Sequence, residues 1–588
     1  MDRESQSILR PTPLESQIEF RPGDFGTLAE ALDYAARGVA GFNFYGRKGE
    51  LNAVLPYAEL RARALCQARR LMQLGLGRGD RVALVGETTP DFVTLFFACQ
   101  YTGLVPVPLP APAGLGKRDF FIHQLRNLVK TSQPKVLISS AELVPTMQEA
   151  AGDLGVQFIG SAQSFDELPE SHRPLFASEP DDAAYIQYTS GSTQMPRGVV
   201  VSQRAVLANL QAIIRHGVKV NENDRMVSWL PYYHDMGLVG LVLVPLATQR
   251  SVDYMATSTF ALRPRVWLEL MSQSKATISF APPFGYELVA RRVGALDVSN
   301  YDLSAWRVAG VGAEMIRAET LEHFAEVLEP AGFRKEAFLP CYGMAEHSLA
   351  ITFSPLGEGV AFDRIDRDKL SRDKQAVPVD AASTTIATKA FVDCGVALPG
   401  HQLQVRDEKG EELPERHSGA IYVRGPSMMS GYFNEPELTN QHLSADGWFN
   451  TGDLGYRIAD RLVITGRSKD LIIVNGRNIW PQDLEYIAEQ QRGIRTNDAL
   501  AFELTTEHVD KHTIVLIVQC RETEETRRAE VIESIRNSVR TEFGTDCHVV
   551  LVPPHTLPRT SSGKLSRSRA RLEFLESESW EQLRTSAA

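Results

Sequence analysis

"YTSGSTQMPRGVVV", residues 188–201, sets Thr189, Ser190, Gly191, Ser192 and Thr193 in one short run with Arg197 close behind. Gly191 lets the backbone aim its N–H groups at an anion, the hydroxyls add donors, and Arg197 adds positive charge. That combination suits a phosphate, although a Ser/Thr/Gly cluster is equally the composition of a plain surface turn. Position separates the two readings. "AYIQY" before the run and "GVVVS" after it both read as buried strands, so the loop is pinned at each end. It is not the GxxxxGK[ST] nucleotide loop: the Gly563-Lys564 pair has Pro558 where the first glycine belongs and Leu565 where Ser or Thr belongs. A kinase or P-loop ATPase is therefore disfavoured.

Strand-length apolar runs alternate with helical patterns on the N-terminal side of this loop. "RVALVGE" (81–87) precedes "TTPDFVTLFFACQYTG", whose Pro90 and Gly103 suit a helix start and stop; "KVLISS", "AELVPTMQEAAGDLG" and "VQFIG" repeat the scheme. The fold class is α/β, with sheets covered by helices. The proline-rich "LVPVPLPAPAGLGKR" (104–118) is expected to be extended and exposed. Residues 357–380, with "DRIDRDKLSRDKQ", break the pattern as a polar insertion with nothing to add to a core. After "ITGRSKD" (464–470) the elements become short: "LIIVNG", a helix opening at Pro481, "HTIVLIVQC", a charged helix from about Glu522, and "HVVLV". A large domain over 1–468 and a smaller α+β domain over 469–588 follow.

The 588 residues carry a net charge of −11, so no global basic field draws nucleic acid or an anionic membrane, and an anionic ligand must be held locally. The six cysteines show no CxxC spacing, which argues against zinc and disulfides and for a reducing cytoplasm. The N-terminus has no apolar signal segment. The longest greasy run, "GLVGLVLVPLA", is about half a membrane span and contains proline, so no stable membrane insertion is expected.

The pattern hydroxyl-Ser-Gly-Ser-Thr-x-x-Pro-basic-Gly resembles the phosphate loop of the acyl-adenylate-forming superfamily, which includes acyl-CoA synthetases, adenylation domains and luciferases. Gln194 and Arg197 stand where that family commonly has glycine and lysine. Its other motifs follow in order. "WLPYYHDMGLVG" (229–240) resembles the segment that sets a histidine near the acyl carboxylate, which implies that role for His234. "GVGAEMIR" (310–317) resembles the adenine-side turn, giving Gly312, Ala313 and Glu314. "CYGMAEHS" (341–348) resembles the segment whose tyrosine packs on adenine and whose glutamate binds Mg²⁺, implying Tyr342 and Gly343 at the nucleotide and Glu346 as catalytic metal ligand. "GWFNTGDLGY" (447–456) supplies Asp453 for the ribose hydroxyls. "ITGRSKDLIIVNGRNIWPQDLE" supplies Arg467 at the ribose and Lys469 as the hinge of a mobile C-terminal domain. "PRTSSGKLSR" (558–567) supplies the catalytic Lys564. ATP and Mg²⁺ are the implied cofactors.

Within the superfamily, "IQYTSGST", "SWLPYYHDMGLVG", "APPFGYEL" and "VNGRNIWPQDLE" look most similar to fatty acyl-AMP ligases. That resemblance implies activation of a medium- or long-chain fatty acid to acyl-AMP, with release of pyrophosphate. The acyl group then passes to the phosphopantetheine arm of an acyl carrier protein. It also implies that the 357–380 insertion rests on the hinge side of the C-terminal domain and restrains its rotation. Trp229, Met236 and Phe284 are candidate acyl-pocket walls. A conventional fatty acyl-CoA synthetase is the alternative. A nonadenylating acyl-binding relative would lack the lysine or the glutamate, and both are present.

Overall fold

The computed structural model describes residues 9–13, 18–112, 118–189, 196–294, 297–380, 386–474, 477–506, 509–560 and 564–581. Among them, the largest sheet has 14 strands and runs mostly parallel through its middle, where Met226–Ser228, Val252–Met255, Ile278–Ala281 and Val308–Val311 lie side by side. These short strands are buried on both faces, which is why each reads as an unbroken apolar run. A four-stranded parallel sheet, Val105–Leu109, Arg81–Val85, Val136–Ser139 and Phe158–Ser161, packs beside it. Its first helix, Pro90–Gln100, starts where Thr89 accepts a hydrogen bond from the Phe92 N–H and Pro90 presets the first turn.

Two expectations need correction. The 104–118 link is extended over Val105–Leu109 but not exposed: it is a fully buried strand paired in parallel with Arg81–Val85. Pro106 and Pro108 are tolerated because this strand ends the hydrogen-bonded order of its sheet and has no second neighbour asking for their missing N–H groups. The 357–380 segment, in turn, does add to a core. Phe362–Asp366 is a strand paired antiparallel with Thr388–Ala397, and Arg367–Asp373 is a helix capped by Asp366. Ile365, Leu370 and Ala376 are buried with Phe391, Tyr456, Val463 and Trp480. Three apolar side chains at the right spacing are enough to seat an otherwise charged segment.

From Ile472 onward the chain builds its own apolar clusters on a three-stranded sheet of Ala499–Thr506, Val509–Gln519 and His548–Val552. Alternation along the central strand divides them: Ile514, Leu516 and Val518 face Leu484, Ala488, Ile535 and Val539, while Val515 and Ile517 face Phe574 and Trp580. The 357–380 segment touches this part directly. Ser371 Oγ donates to the Asn478 carbonyl at 2.6 Å and Arg367 to Glu542 Oε1 at 2.6 Å. No helix among the described residues is long and apolar enough to cross a membrane.

Leu370→Ala should lower stability by about 2–5 kcal/mol, the range for truncating a buried leucine. Denaturant unfolding measures it; a loss under about 0.5 kcal/mol, typical of surface positions, would place the segment on solvent instead.

Candidate active site

The opening loop joins the strands Ala183–Thr189 and Arg197–Ser202, an antiparallel pair in which Thr189 sits opposite Arg197. Ser190, Gly191, Ser192 and Thr193 lie outside the described residues. The Arg197 guanidinium stands 5.6 Å from the centre of the Tyr432 ring, and the Tyr432 hydroxyl donates to Glu346 Oε1 at 2.8 Å. Tyr432 is held there by the short strand Gly431–Tyr432, which pairs with Val199 and Val200. Sequence reading missed it, because nothing in "SGYFNEPE" marks a site; only the strand pairing brings it to Glu346. Glu346, on the turn Ala345–His347, is 8% exposed, and burial pushes its carboxyl up against the opposing pull of Tyr432. Among the described residues no three His, Cys, Asp or Glu form a metal cage. One buried carboxylate is nonetheless a fitting donor for Mg²⁺, which keeps several waters and is held through one or two carboxylates together with substrate phosphates.

The turn of Gly312 and Ala313, expected on the adenine side, follows the strand Val308–Val311. A Cβ at Gly312 would lie 2.8 Å from the Cys341 carbonyl, and Ala313 takes φ 69°, the left-handed region that a side chain enters only under constraint. On the neighbouring strand Phe338–Gly343, a Cβ at Gly343 would meet the Leu349 carbonyl at 1.9 Å, so only glycine fits. Tyr342 is buried, and its hydroxyl donates to Asp453 Oδ2 at 2.6 Å; burial and then Asp453 push the phenol up. Asp453 lies opposite Arg467 across the strands Phe449–Ile458 and Arg461–Arg467, with Arg467 Nε 3.2 Å from Asp453 Oδ1. The carboxylate is thus aimed from two sides, and Asp453 in turn holds Arg467 above its usual range. Lys469 follows on the turn Ser468–Asp470, where burial lowers its ammonium.

At the start of the helix Asp235–Leu238, His234 Nδ1 lies 2.6 Å from Asp235 Oδ1, and that oxygen accepts the Met236 N–H at 2.7 Å. Gly237 is required by a close approach, since a Cβ there would stand 2.2 Å from the Pro231 carbonyl. Lys564 reaches the same place from the far end of the chain and donates to the Ala313 carbonyl at 2.7 Å. Burial lowers the Lys564 ammonium while Glu314 and Asp235 oppose that shift. Burial would raise Asp235, but His234 and Lys564 hold it below the usual carboxylate range. Burial raises Glu314 against Lys564 and Arg559. Asp235 is a motif neighbour of His234 with no role expected for it, and Arg559 stood inside a quoted motif without being singled out; the structure brings the charge of both close to the Lys564 loop.

Next to Met236 is a narrow apolar cavity, lined also by Ile213, Val244, Phe280, Leu349 and Phe353. Two π-helical turns, Ile213–Gly217 and Val239–Leu243, contribute Ile213 and Gly240 to its lining. Trp229 and Phe284 pack on each other close by, their ring centres 5.8 Å apart, and Trp229 stacks on Phe260 at 3.7 Å. Of the three expected walls, Met236 lines the cavity while the other two belong to this aromatic cluster.

The family model described as AMP-binding enzyme matches residues 48–433. The chain is 46% identical over 572 residues to a Caulobacter vibrioides protein named "Putative acyl-CoA synthetase", covering 97% of this chain and 99% of that one. It is 31% identical over 582 residues to the medium-chain-fatty-acid–[acyl-carrier-protein] ligase JamA of Moorena producens, covering 95% and 97%. A solved structure from a study of fatty acyl-adenylate ligases from E. coli and L. pneumophila superposes with a TM-score of 0.91 at 48% identity, covering 95% of this chain and 99% of that one.

Tyr432→Phe removes the donor to the buried Glu346 and should lower stability by about 1–3 kcal/mol. Denaturant unfolding should show a much smaller loss for the same change in a Glu346→Gln background. Equal losses in both backgrounds would mean that the hydrogen bond carries none of the effect.

Proposed function

The chain belongs to the AMP-binding enzyme family and is an adenylate-forming ligase of fatty acyl-AMP ligase type, and from that premise we propose how its residues divide the work and where the product goes. The observation that carries the reading is the convergence of Lys564 and the Ala313 turn, with Asp453, Glu346 and His234 on the surrounding strands and turns. The fatty acid places its tail in the apolar cavity, where each buried CH₂ contributes about 0.8 kcal/mol, and its carboxylate near His234. Tyr342 and the Gly312–Ala313 turn receive the adenine, Asp453 and Arg467 orient the ribose, and Arg197 with the Thr189 loop, including Ser190, Gly191, Ser192 and Thr193, takes the phosphates.

Activation joins the acid's carboxylate oxygen to the α-phosphorus and breaks the bond to pyrophosphate, which leaves. Two anions must approach, so the site has to neutralise and orient them before the bond forms. Lys564 supplies a movable positive charge at the oxygens where negative charge grows. Arg197 holds charge on the departing side. Glu346 would hold Mg²⁺, which when bound neutralises phosphate charge. Lys469 then serves as the pivot about which 469–588 reorients, and the 357–380 segment, packed on Asn478 and Trp480, restrains that motion.

Delivery to the phosphopantetheine arm of an acyl carrier protein is supported by the likeness to JamA, whose name also points to a medium-chain acid. A cytoplasmic site of action fits the six free cysteines. The Caulobacter relative favours a second reading, a conventional acyl-CoA synthetase. One assay separates the two: ATP, Mg²⁺ and a fatty-acid panel, with either coenzyme A or a phosphopantetheinylated carrier protein. Acyl-AMP with acyl transfer to the carrier and little acyl-CoA is expected; abundant acyl-CoA would establish the second reading.

Lys564→Ala should lower acyl-AMP formation by roughly 10²- to 10³-fold, about 3–4 kcal/mol, with fatty-acid binding nearly unchanged. A variant keeping more than about half the rate at saturating ATP would remove Lys564 from the mechanism.

A further inference from the structure

A lysine on a flexible four-carbon stem is a poor ruler, and one hydrogen bond to Ala313 fixes neither the angle nor the depth of the Lys564 loop. Around that contact, however, the polar groups close a circuit. Arg317, four residues after Ala313, donates to Glu489 Oε2 at 2.6 Å. Glu489 ends the helix Pro481–Glu489, and its Oε1 accepts the Asn497 backbone N–H at 2.7 Å. The Asn497 side chain donates to Glu287 Oε2 at 2.7 Å, on the helix Pro283–Val293, while its carbonyl accepts from Arg559 at 3.2 Å. Arg559 opens the lysine loop and faces Leu565 across a β-bridge, and the Thr560 N–H donates to the Lys564 carbonyl at 2.7 Å. The path therefore leaves the adenine-side turn at Arg317 and returns to it at Ala313. Asn497 sits at its centre with φ 61°, a conformation asparagine accepts more readily than most residues.

We propose that Arg317 is a positioning residue for adenylation: through Glu489, Asn497 and Arg559 it seats the Lys564 loop on the Ala313 turn, without itself touching nucleotide or acid. This rests on Lys564 being the adenylating cation. The pair is enclosed, with Arg317 27% and Glu489 3% exposed at the side chain. Desolvation offsets most of the attraction in such a pair, so its net contribution to stability is small and its value lies in direction. A contact of that kind aligns the two parts of the chain for one step and releases them for the next.

The test is the kinetics of acyl-AMP formation in Arg317→Ala, Glu489→Gln, and the charge-swapped Arg317→Glu/Glu489→Arg. Arg317→Ala should lower kcat by about 10- to 100-fold, the scale of a misaligned catalytic group, with KM for ATP and fatty acid within about twofold. The same change in a Lys564→Ala background should have less than about a twofold effect, because its action runs through the lysine. Glu489→Gln should lose less than Arg317→Ala, and the swapped pair should recover activity relative to Arg317→Glu alone. Full activity of Arg317→Ala would overturn the proposal, and so would an undiminished loss in the Lys564→Ala background. If Arg317→Ala does not fold, Arg317→Gln takes its place in the same comparison. An active Lys564→Ala enzyme would instead refute the role of the lysine, which is a different failure.

Discussion

The contact between the Lys564 ammonium and the Ala313 carbonyl joins points 251 residues apart, and the rest of the site is arranged to allow it. The chain beyond Ile472 has apolar clusters of its own and shares one with the rest of the molecule, where Trp480 packs with Ile365, Leu370, Phe391, Tyr456 and Val463. Polar and ionic links add to that contact: Arg317 to Glu489, Asn497 to Glu287, Arg367 to Glu542, Ser371 to Asn478 and Lys389 to Asp483. Links of this type are individually weak in net terms and strict in geometry. They fix direction beside the apolar contact at Trp480.

Burying charge has a penalty that each group here meets with a neighbour. Glu314 is raised by burial and countered by Lys564 and Arg559; Lys564 is lowered by burial and countered by Glu314 and Asp235; Asp235 is held ionised by His234 and Lys564. Lys564 is a partner of both carboxylates, so seating the lysine loop completes this set of opposed charges. A site built to bring a carboxylate to a phosphate needs such an assembled field, because water would otherwise screen it.

The side of the site around Asp453 is rigid for a different reason. Asp453 and Arg467 face each other in strand register, Tyr342 comes from a third strand, and Gly312 and Gly343 permit backbone approaches that any side chain would block. Groups carried on strands keep their distances better than groups on loops. The apolar cavity, by contrast, is shaped by two π-helical turns, whose extra residue re-aims side chains at a local expense in helix geometry.

The sequence by itself determined the α/β class, because apolar runs of strand length and capped helices are local patterns. The motifs at Gly312, Glu346, Asp453 and Lys564 stood out through their resemblance to a known family, in family order along the chain, since each short window taken alone also fits an ordinary turn. The sequence misjudged 104–118 and 357–380 for one physical reason. Composition reports whether a segment could live in water, whereas burial depends on what lies opposite: a sheet edge that excuses Pro106 and Pro108, and a recess at Trp480 that takes Leu370. Tyr432 and Arg559 were illegible on the same ground, and Asp235 was legible only as a motif neighbour of His234. A tyrosine or an arginine has no distinctive signature in sequence, and their partners, Glu346, Lys564 and Asn497, stand tens to hundreds of residues away or across a turn. Only tertiary structure sets such distances, and electrostatic and hydrogen-bond energies depend on distance in space rather than along the chain.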